Sequence, residues 1–126
     1  MIKFLVVDDE TGVSHQIKEF LIQRGYHAMA ATSGPEAIAL IKKEKPNIVV
    51  LDIIMEGMTG IDVLKQAKKI NPKIRVIMLT AVEDEKTRQT CMNLGASAYI
   101  IKPYNFDDVL KAAHKLINEI YEEETK

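Results

Sequence analysis

The sequence predicts an α/β fold, a (βα)5 doubly wound five-stranded parallel sheet, on three observations. Short apolar runs, nearly unbroken and rich in β-branched residues, recur along the chain. The segments between them change to a helical period, and turn residues mark each boundary. Continuous rather than alternating hydrophobicity is what a strand shows when helices cover both faces of its sheet. Strands alternating with helices give parallel pairing through right-handed crossovers.

The elements follow in order. Residues 2–7 are the first strand, and Val13, Ile17, Phe20 and Leu21 lie on one face of the first helix, which ends at Arg24-Gly25. The weaker run 27–31 is the second strand. After Ser33-Gly34-Pro35, Ala37, Ile38 and Ile41 carry the second helix, closed by Lys45-Pro46-Asn47. Residues 48–51 are the third strand; Ile61, Leu64 and Ala67 carry the third helix, and Asn71-Pro72 marks the next loop. Residues 74–79 are the fourth strand, and 83–94 form the least amphipathic helix, ending at Leu94-Gly95. Residues 98–101 are the fifth strand. Val109, Leu110, Ala113, Leu116, Ile117 and Ile120 line one face of the last helix.

With 126 residues, 47% of them hydrophobic, the chain suits one domain with a single core. A soluble chain is expected, because no run of about 18 apolar residues and no secretory signal is present. Lys and Arg number 17 against 18 Asp and Glu, a net charge of −1, so there is no basic stripe for direct nucleic-acid binding. The lone Cys91 cannot form an internal disulfide, which fits a reducing, cytoplasmic setting with no membrane partner. The domain is expected over 1–122, with 123–126 a frayed tail or the start of a linker.

In such a sheet, ligand chemistry sits beyond the carboxyl ends of the strands. The first strand ends in Asp8-Asp9-Glu10, the third in Asp52, the fourth in Thr80-Ala81 and the fifth in Lys102-Pro103. Folding gathers Asp8, Asp9 and Asp52, and carboxylates held that close repel unless a cation sits among them. Oxygen donors with open water positions suit Mg²⁺ rather than zinc. A lysine and a threonine hydroxyl converging on the same acids suit a phosphoryl group, whose oxygens need a cation and a hydrogen-bond donor beside the metal.

These residues, Val7-Asp8-Asp9-Glu10, Asp52, Thr80-Ala81 and Lys102-Pro103 in order at their strand ends, resemble the receiver domain of two-component response regulators, the CheY-like family. The resemblance runs from Lys3 to about Tyr121. It implies a flavodoxin-like strand order 2-1-3-4-5 and a signalling switch that catalyses only its own phosphoryl transfer and dephosphorylation. Asp52 corresponds to the phosphoacceptor, served by a histidine kinase, a phosphotransfer protein or a small phosphodonor. Asp9 corresponds to a direct Mg²⁺ ligand, Asp8 acts mainly through water, and Asp52 and the backbone carbonyl of Ile54 complete the metal site. Lys102 matches the lysine that pairs with the phosphoryl oxygens, Thr80 the switch hydroxyl and Tyr99 the aromatic switch. The bond before Pro103 is expected to be cis.

The resemblance places the output on the fourth helix, fifth strand and fifth helix, where Lys86, Arg88, Tyr104, Asp108 and Lys111 are candidate contacts for an effector domain or protein. A monomer or a weak phosphorylation-dependent dimer is expected. The ionic dimer common among regulators with winged-helix outputs lacks its Asp here, since position 98 is Ala, and lacks its Arg in the last helix. The chain also departs from the family at Glu56, which stands where a proline usually follows the phosphoacceptor strand. Ile54 and Val82 are apolar at the two positions that admit attacking water.

Plainer readings cover the remaining residues. His15, His27 and His114 lie away from the acids and read as surface or half-buried groups. Cys91 reads as a structural thiol, and Met55 and Met58 as local packing. Lys42, Lys43, Lys45, Lys65, Lys68 and Lys69 read as solvated helix faces. Two other functions compete. An aspartyl-nucleophile phosphohydrolase generally carries a second Asp two residues after the first, where this chain has Ile54. A flavodoxin-type cofactor carrier needs a Ser/Thr/Gly-rich phosphate loop where Asp8-Asp9-Glu10 would repel the phosphate.

Overall fold

The structure, a computed structural model, describes residues 1–125. Its strands are β1 (Lys3–Val7), β2 (His27–Ala31), β3 (Ile48–Leu51), β4 (Arg75–Thr80) and β5 (Ala98–Ile101). The helices between and after them are α1 (Thr11–Gln23), α2 (Gly34–Glu44), α3 (Gly60–Ile70), α4 (Glu85–Asn93) and α5 (Phe106–Glu124). All strand pairs are parallel, in the order β2-β1-β3-β4-β5. The expected (βα)5 sheet is therefore present, with the expected order.

Alternate strand residues divide the core into two layers. Leu5, Val7, Val49, Leu51, Val76 and Met78 pack against α2, α3 and α4 through Ile38, Ile41, Val63, Leu64 and Cys91. Phe4, Val6, Val50, Ile77 and Leu79 face α1 and α5, meeting Ile17, Leu21, Val109, Leu116 and Ile120. Strands β1, β3 and β4 thus bury both faces, which is why their sequences show no alternation.

Some boundaries differ from the sequence expectation. Strand β4 starts one residue later, at Arg75, and runs through Thr80, because Thr80 still pairs with Ile101 of β5. Helix α4 begins at Glu85 because Asp84 caps it, accepting from the backbone N–H groups of Lys86 and Thr87. Val63, not Ile61, is the fully buried residue of the first turn of α3. Helix α5 continues to Glu124, into the segment expected to fray, and the Arg75 guanidinium grips Glu123 from the foot of the sheet at 2.6 Å. Lys126, the last residue of that expected tail, lies outside the described residues.

Register positions the functional end. Val7 stands beside both Ala31 and Leu51, so the residues after β1 and β3 emerge side by side, and the Asp52 amide donates to the Val7 carbonyl at 3.0 Å. Strand β1 connects to β2 on one side and pairs with β3 on the other, so the chain reverses direction across the sheet there. A crevice opens at such a point. Among the described residues, no helix is long and apolar enough to cross a membrane.

Candidate functional site

Asp8 and Asp52 emerge next to each other at the carboxyl ends of β1 and β3, and both are buried, 3% and 7% exposed. Lys102, at the end of β5, reaches across to both. Its ammonium donates to Asp8 Oδ2 at 2.9 Å and to Asp52 Oδ2 at 3.1 Å. Burial disfavours that ammonium, but the hydrogen bonds and charges of Asp8 and Asp52 outweigh it and hold its pKa above the ordinary lysine value. The remaining carboxylate oxygens take backbone donors: Asp8 Oδ1 accepts from the Glu10 N–H at 2.9 Å and Asp52 Oδ1 from the Ile54 N–H at 3.3 Å.

Thr80 is fully buried beside this group, and its carbonyl accepts from the Lys102 N–H at 2.8 Å. The Lys102–Pro103 peptide bond is cis. Asp9 is exposed and lines an open surface pocket with Thr11, Thr32, Ser33, Glu56 and Gly57. Ile54, two residues after Asp52, is 61% exposed.

The structure therefore brings together Asp8, Asp52, Thr80 and Lys102 and leaves Asp9 at the edge. Every carboxylate and carbonyl at the crevice offers oxygen, the donor type that a magnesium-like cation takes. Among the described residues, no three acids, histidines or cysteines already surround one point. Lys102 is the cation between Asp8 and Asp52, and Asp9 faces solvent. The chemistry of the donors fits Mg²⁺.

Tyr99 is half-buried on β5, and its hydroxyl donates to the Val82 carbonyl at 2.8 Å. Burial pushes its phenol pKa up, with the charges of Cys91, Asp84 and Asp52 adding to the effect. The Val82 N–H in turn approaches Thr80 Oγ1 at 3.4 Å. One residue of the β4–α4 loop thus touches both Thr80 and Tyr99 through its backbone, a link that no side-chain pattern could reveal.

The loop after Asp52 is held without a proline. Gly60 packs on the Asp52 carbonyl, and its N–H donates to the Ile53 carbonyl at 2.9 Å. Thr59 and Asp62 close a capping box at the start of α3. The Met58 side chain lies on Gly34 of α2, where a Cβ would stand 2.7 Å from it. Glu56 is exposed beside these contacts, so the loop's anchoring comes from its glycines and cap. Sequence reasoning passed over Gly34, Met58 and Gly60 as site supports, because the contacts join segments distant along the chain.

On the expected output face, Lys86 and Lys111 are exposed. Arg88 forks onto Glu85 of its own helix at 2.6 and 2.9 Å, and Asp108 closes the capping box of α5 with Asn105. Those two are engaged within the fold. His15, His27 and His114 are exposed, and burial raises the pKa of the Cys91 thiol. Lys68 is not on a solvated face: its ammonium donates to the carbonyls of Ile74 and Pro72 at 2.6 and 3.3 Å, because its stem lies over Gly95 and turns it into the α3–β4 connection.

Comparison with known proteins bears on the family and the fold. The response regulator receiver domain family matches residues 4–114. Sporulation initiation phosphotransferase F of Bacillus subtilis is 36% identical over 115 residues, covering 91% of this chain and 93% of that protein. The chemotaxis protein CheY of the same organism is 34% identical, covering 92% and 98%. A receiver domain protein from Methanospirillum hungatei JF-1 superimposes with a TM-score of 0.90 at 33% identity over 97% of this chain and 98% of that one. A CheY from Borrelia burgdorferi, solved in complex with CheX, beryllium fluoride and magnesium, superimposes with a TM-score of 0.87 at 29% identity, covering 92% and 89%.

Proposed function

The chain belongs to the response regulator receiver family, and on that premise we propose that Asp52 is its phosphoacceptor, in a Mg²⁺-dependent reaction. As a receiver it is a signalling switch of a two-component system, and a phosphohydrolase or flavin carrier is not favoured. The observation that carries the site assignment is the Lys102 ammonium shared between Asp8 and Asp52.

An Asp52 carboxylate oxygen attacks the phosphorus of a donor, a phosphohistidine of a kinase or phosphotransfer protein or a small acyl phosphate. A P–O bond to Asp52 forms as the bond to the donor nitrogen or oxygen breaks, and the leaving group departs with that electron pair. Lys102 follows the new charge and pairs with a phosphoryl oxygen, while the Thr80 hydroxyl donates to another. Asp9, Asp8, Asp52 and the Ile54 carbonyl would hold Mg²⁺, which when bound supplies positive charge beside the transferring oxygens.

A group of charge about −2 at Asp52 draws in Thr80 and pulls on Val82, to which Tyr99 is bonded. A local electrostatic change thereby becomes a packing change on the α4, β5 and α5 face, read by an effector. The Lys102 stem and Thr80 backbone hold the chemistry in place between these events.

The test is labelling by acetyl phosphate with Mg²⁺, read as one phosphoryl mass. Asp52→Asn abolishes it, and Asp9→Asn weakens Mg²⁺ binding, so that labelling needs a higher Mg²⁺ concentration; full labelling of Asp52→Asn overturns the assignment. Beryllofluoride moves the amide signals of Val82, Tyr99 and their neighbours on α4 and α5. Shifts confined to α1 and α2 count against the output face.

A further inference from the structure

The strand that leads to Lys102 lies at the edge of the sheet. Strand β5 is an edge strand paired only with β4, and every residue in it is at least partly exposed. Lys102 nevertheless spans to two buried carboxylates in a defined geometry. The Lys102 N–H still donates to the Thr80 carbonyl of β4, and beyond that bond the β5–α5 connection leaves the sheet and is held by aromatic contacts.

Three rings run from that connection to α1. Tyr104, two residues after Lys102, meets Phe106 edge-on with centroids 5.9 Å apart at 67°. Phe106, the first residue of α5, stacks on Phe20 of α1 with centroids 4.5 Å apart at 15°. The Arg24 guanidinium, at the end of α1, lies 4.6 Å from the centre of the Phe20 ring. Helix α1 follows directly from the turn bearing Asp8 and Asp9, so the stack ties the segment after Lys102 to the helix anchored by the acids. All three rings are half-buried, and aromatic pairs in such offset or edge-on arrangements contribute beyond the area they bury.

We propose that the Tyr104, Phe106 and Phe20 stack braces the Lys102 segment against α1, making Phe20 and Phe106 positioning residues for the Lys102 ammonium at Asp8 and Asp52. In its consequence for phosphoryl transfer this rests on the assignment of Asp52 as phosphoacceptor. The brace itself is a property of the unphosphorylated protein. When it is loosened, the ammonium samples more positions, and its bond to Asp52 is populated less. The stacking contribution beyond burial corresponds to a factor of about 2–12 in such a population.

The experiment compares Phe106→Leu, which keeps apolar bulk but loses the stack, with Phe106→Tyr, which keeps the ring. The first readout is the Lys102 ammonium signal in ¹H–¹⁵N spectra of the unphosphorylated, ¹⁵N-enriched protein, identified by its loss in Lys102→Met. It stays at the parental position in Phe106→Tyr and shifts or broadens in Phe106→Leu. The second is the rate of labelling by acetyl phosphate with Mg²⁺, which falls about 2–12-fold in Phe106→Leu and holds in Phe106→Tyr. Phe20→Leu breaks the same stack from α1, gives the same pair of changes, and decides the matter if Phe106→Leu does not fold. A parental ammonium signal in either leucine variant overturns the brace. If the parent protein takes no label, the Asp52 assignment fails, and the ammonium signal alone decides whether the brace exists.

Discussion

Gly60 lies on the carbonyl of Asp52 so closely that a Cβ at position 60 would overlap that oxygen; it would also stand 2.7 Å from the carbonyl carbon and 2.8 Å from Ile53 Cα. These are backbone atoms and cannot rotate away. Gly60→Ala therefore pushes α3 from the end of β3, costing about 1–3 kcal/mol in urea unfolding, and slows labelling of Asp52. Gly12 is the control. A Cβ there meets nothing within 4 Å, so Gly12→Ala leaves stability unchanged or slightly higher.

Lys102→Met leaves Asp8 and Asp52 facing each other without their shared cation. The loss is about 1–3 kcal/mol at neutral pH in metal-free buffer, and millimolar Mg²⁺ narrows the gap. The alkaline behaviour follows from the sign of the Lys102 shift. Its pKa in the folded protein is raised, by Asp8 and Asp52 acting against burial, so its contribution is complete below the ordinary lysine value. That contribution disappears as the pH rises through the folded value. The stability difference between parent and Lys102→Met is thus flat across the neutral range and closes only at strongly alkaline pH. A difference that closes near pH 8 would contradict the pairing.

The lifetime of the phosphorylated state is set by how readily water lines up opposite the Asp52 oxygen. Ile54 is 61% exposed, and Val82 is half-buried with its carbonyl committed to Tyr99. Neither side chain can orient water, so we predict slow autodephosphorylation of a phosphorylated Asp52. The double variant Ile54→Asn, Val82→Glu hydrolyses at least about 10-fold faster after the donor is removed. An unchanged rate would mean that side-chain polarity at these positions does not control the lifetime.

The layered sheet was legible in the sequence because burial on both faces writes itself as continuous apolar runs, as in Ile48–Leu51. The boundaries were less so. Thr80 extends β4 through pairing with Ile101, and Asp84 delays α4 by capping it, and neither effect is an apolar pattern. The solvated reading of Lys68 failed for a related reason. Its helical spacing is that of an exposed lysine, and only the neighbouring turn supplies the carbonyls that it bonds.

The sequence by itself determined which chemical groups stand at the strand ends, since an acid, a threonine or a lysine after an apolar run must leave the sheet there. It also determined that those ends lie on one side, because helical crossovers make the strands parallel. Only the tertiary structure decided which groups touch. Register sets Val7 beside Leu51 and so Asp8 beside Asp52, Lys102 spans 50 residues of sequence to reach Asp52, and Asp9, though adjacent to Asp8, faces solvent. The backbone accounts for that last difference: the Asp8 N–H still donates to the Ala31 carbonyl beside the sheet, whereas Asp9 lies in the bend that leads to α1.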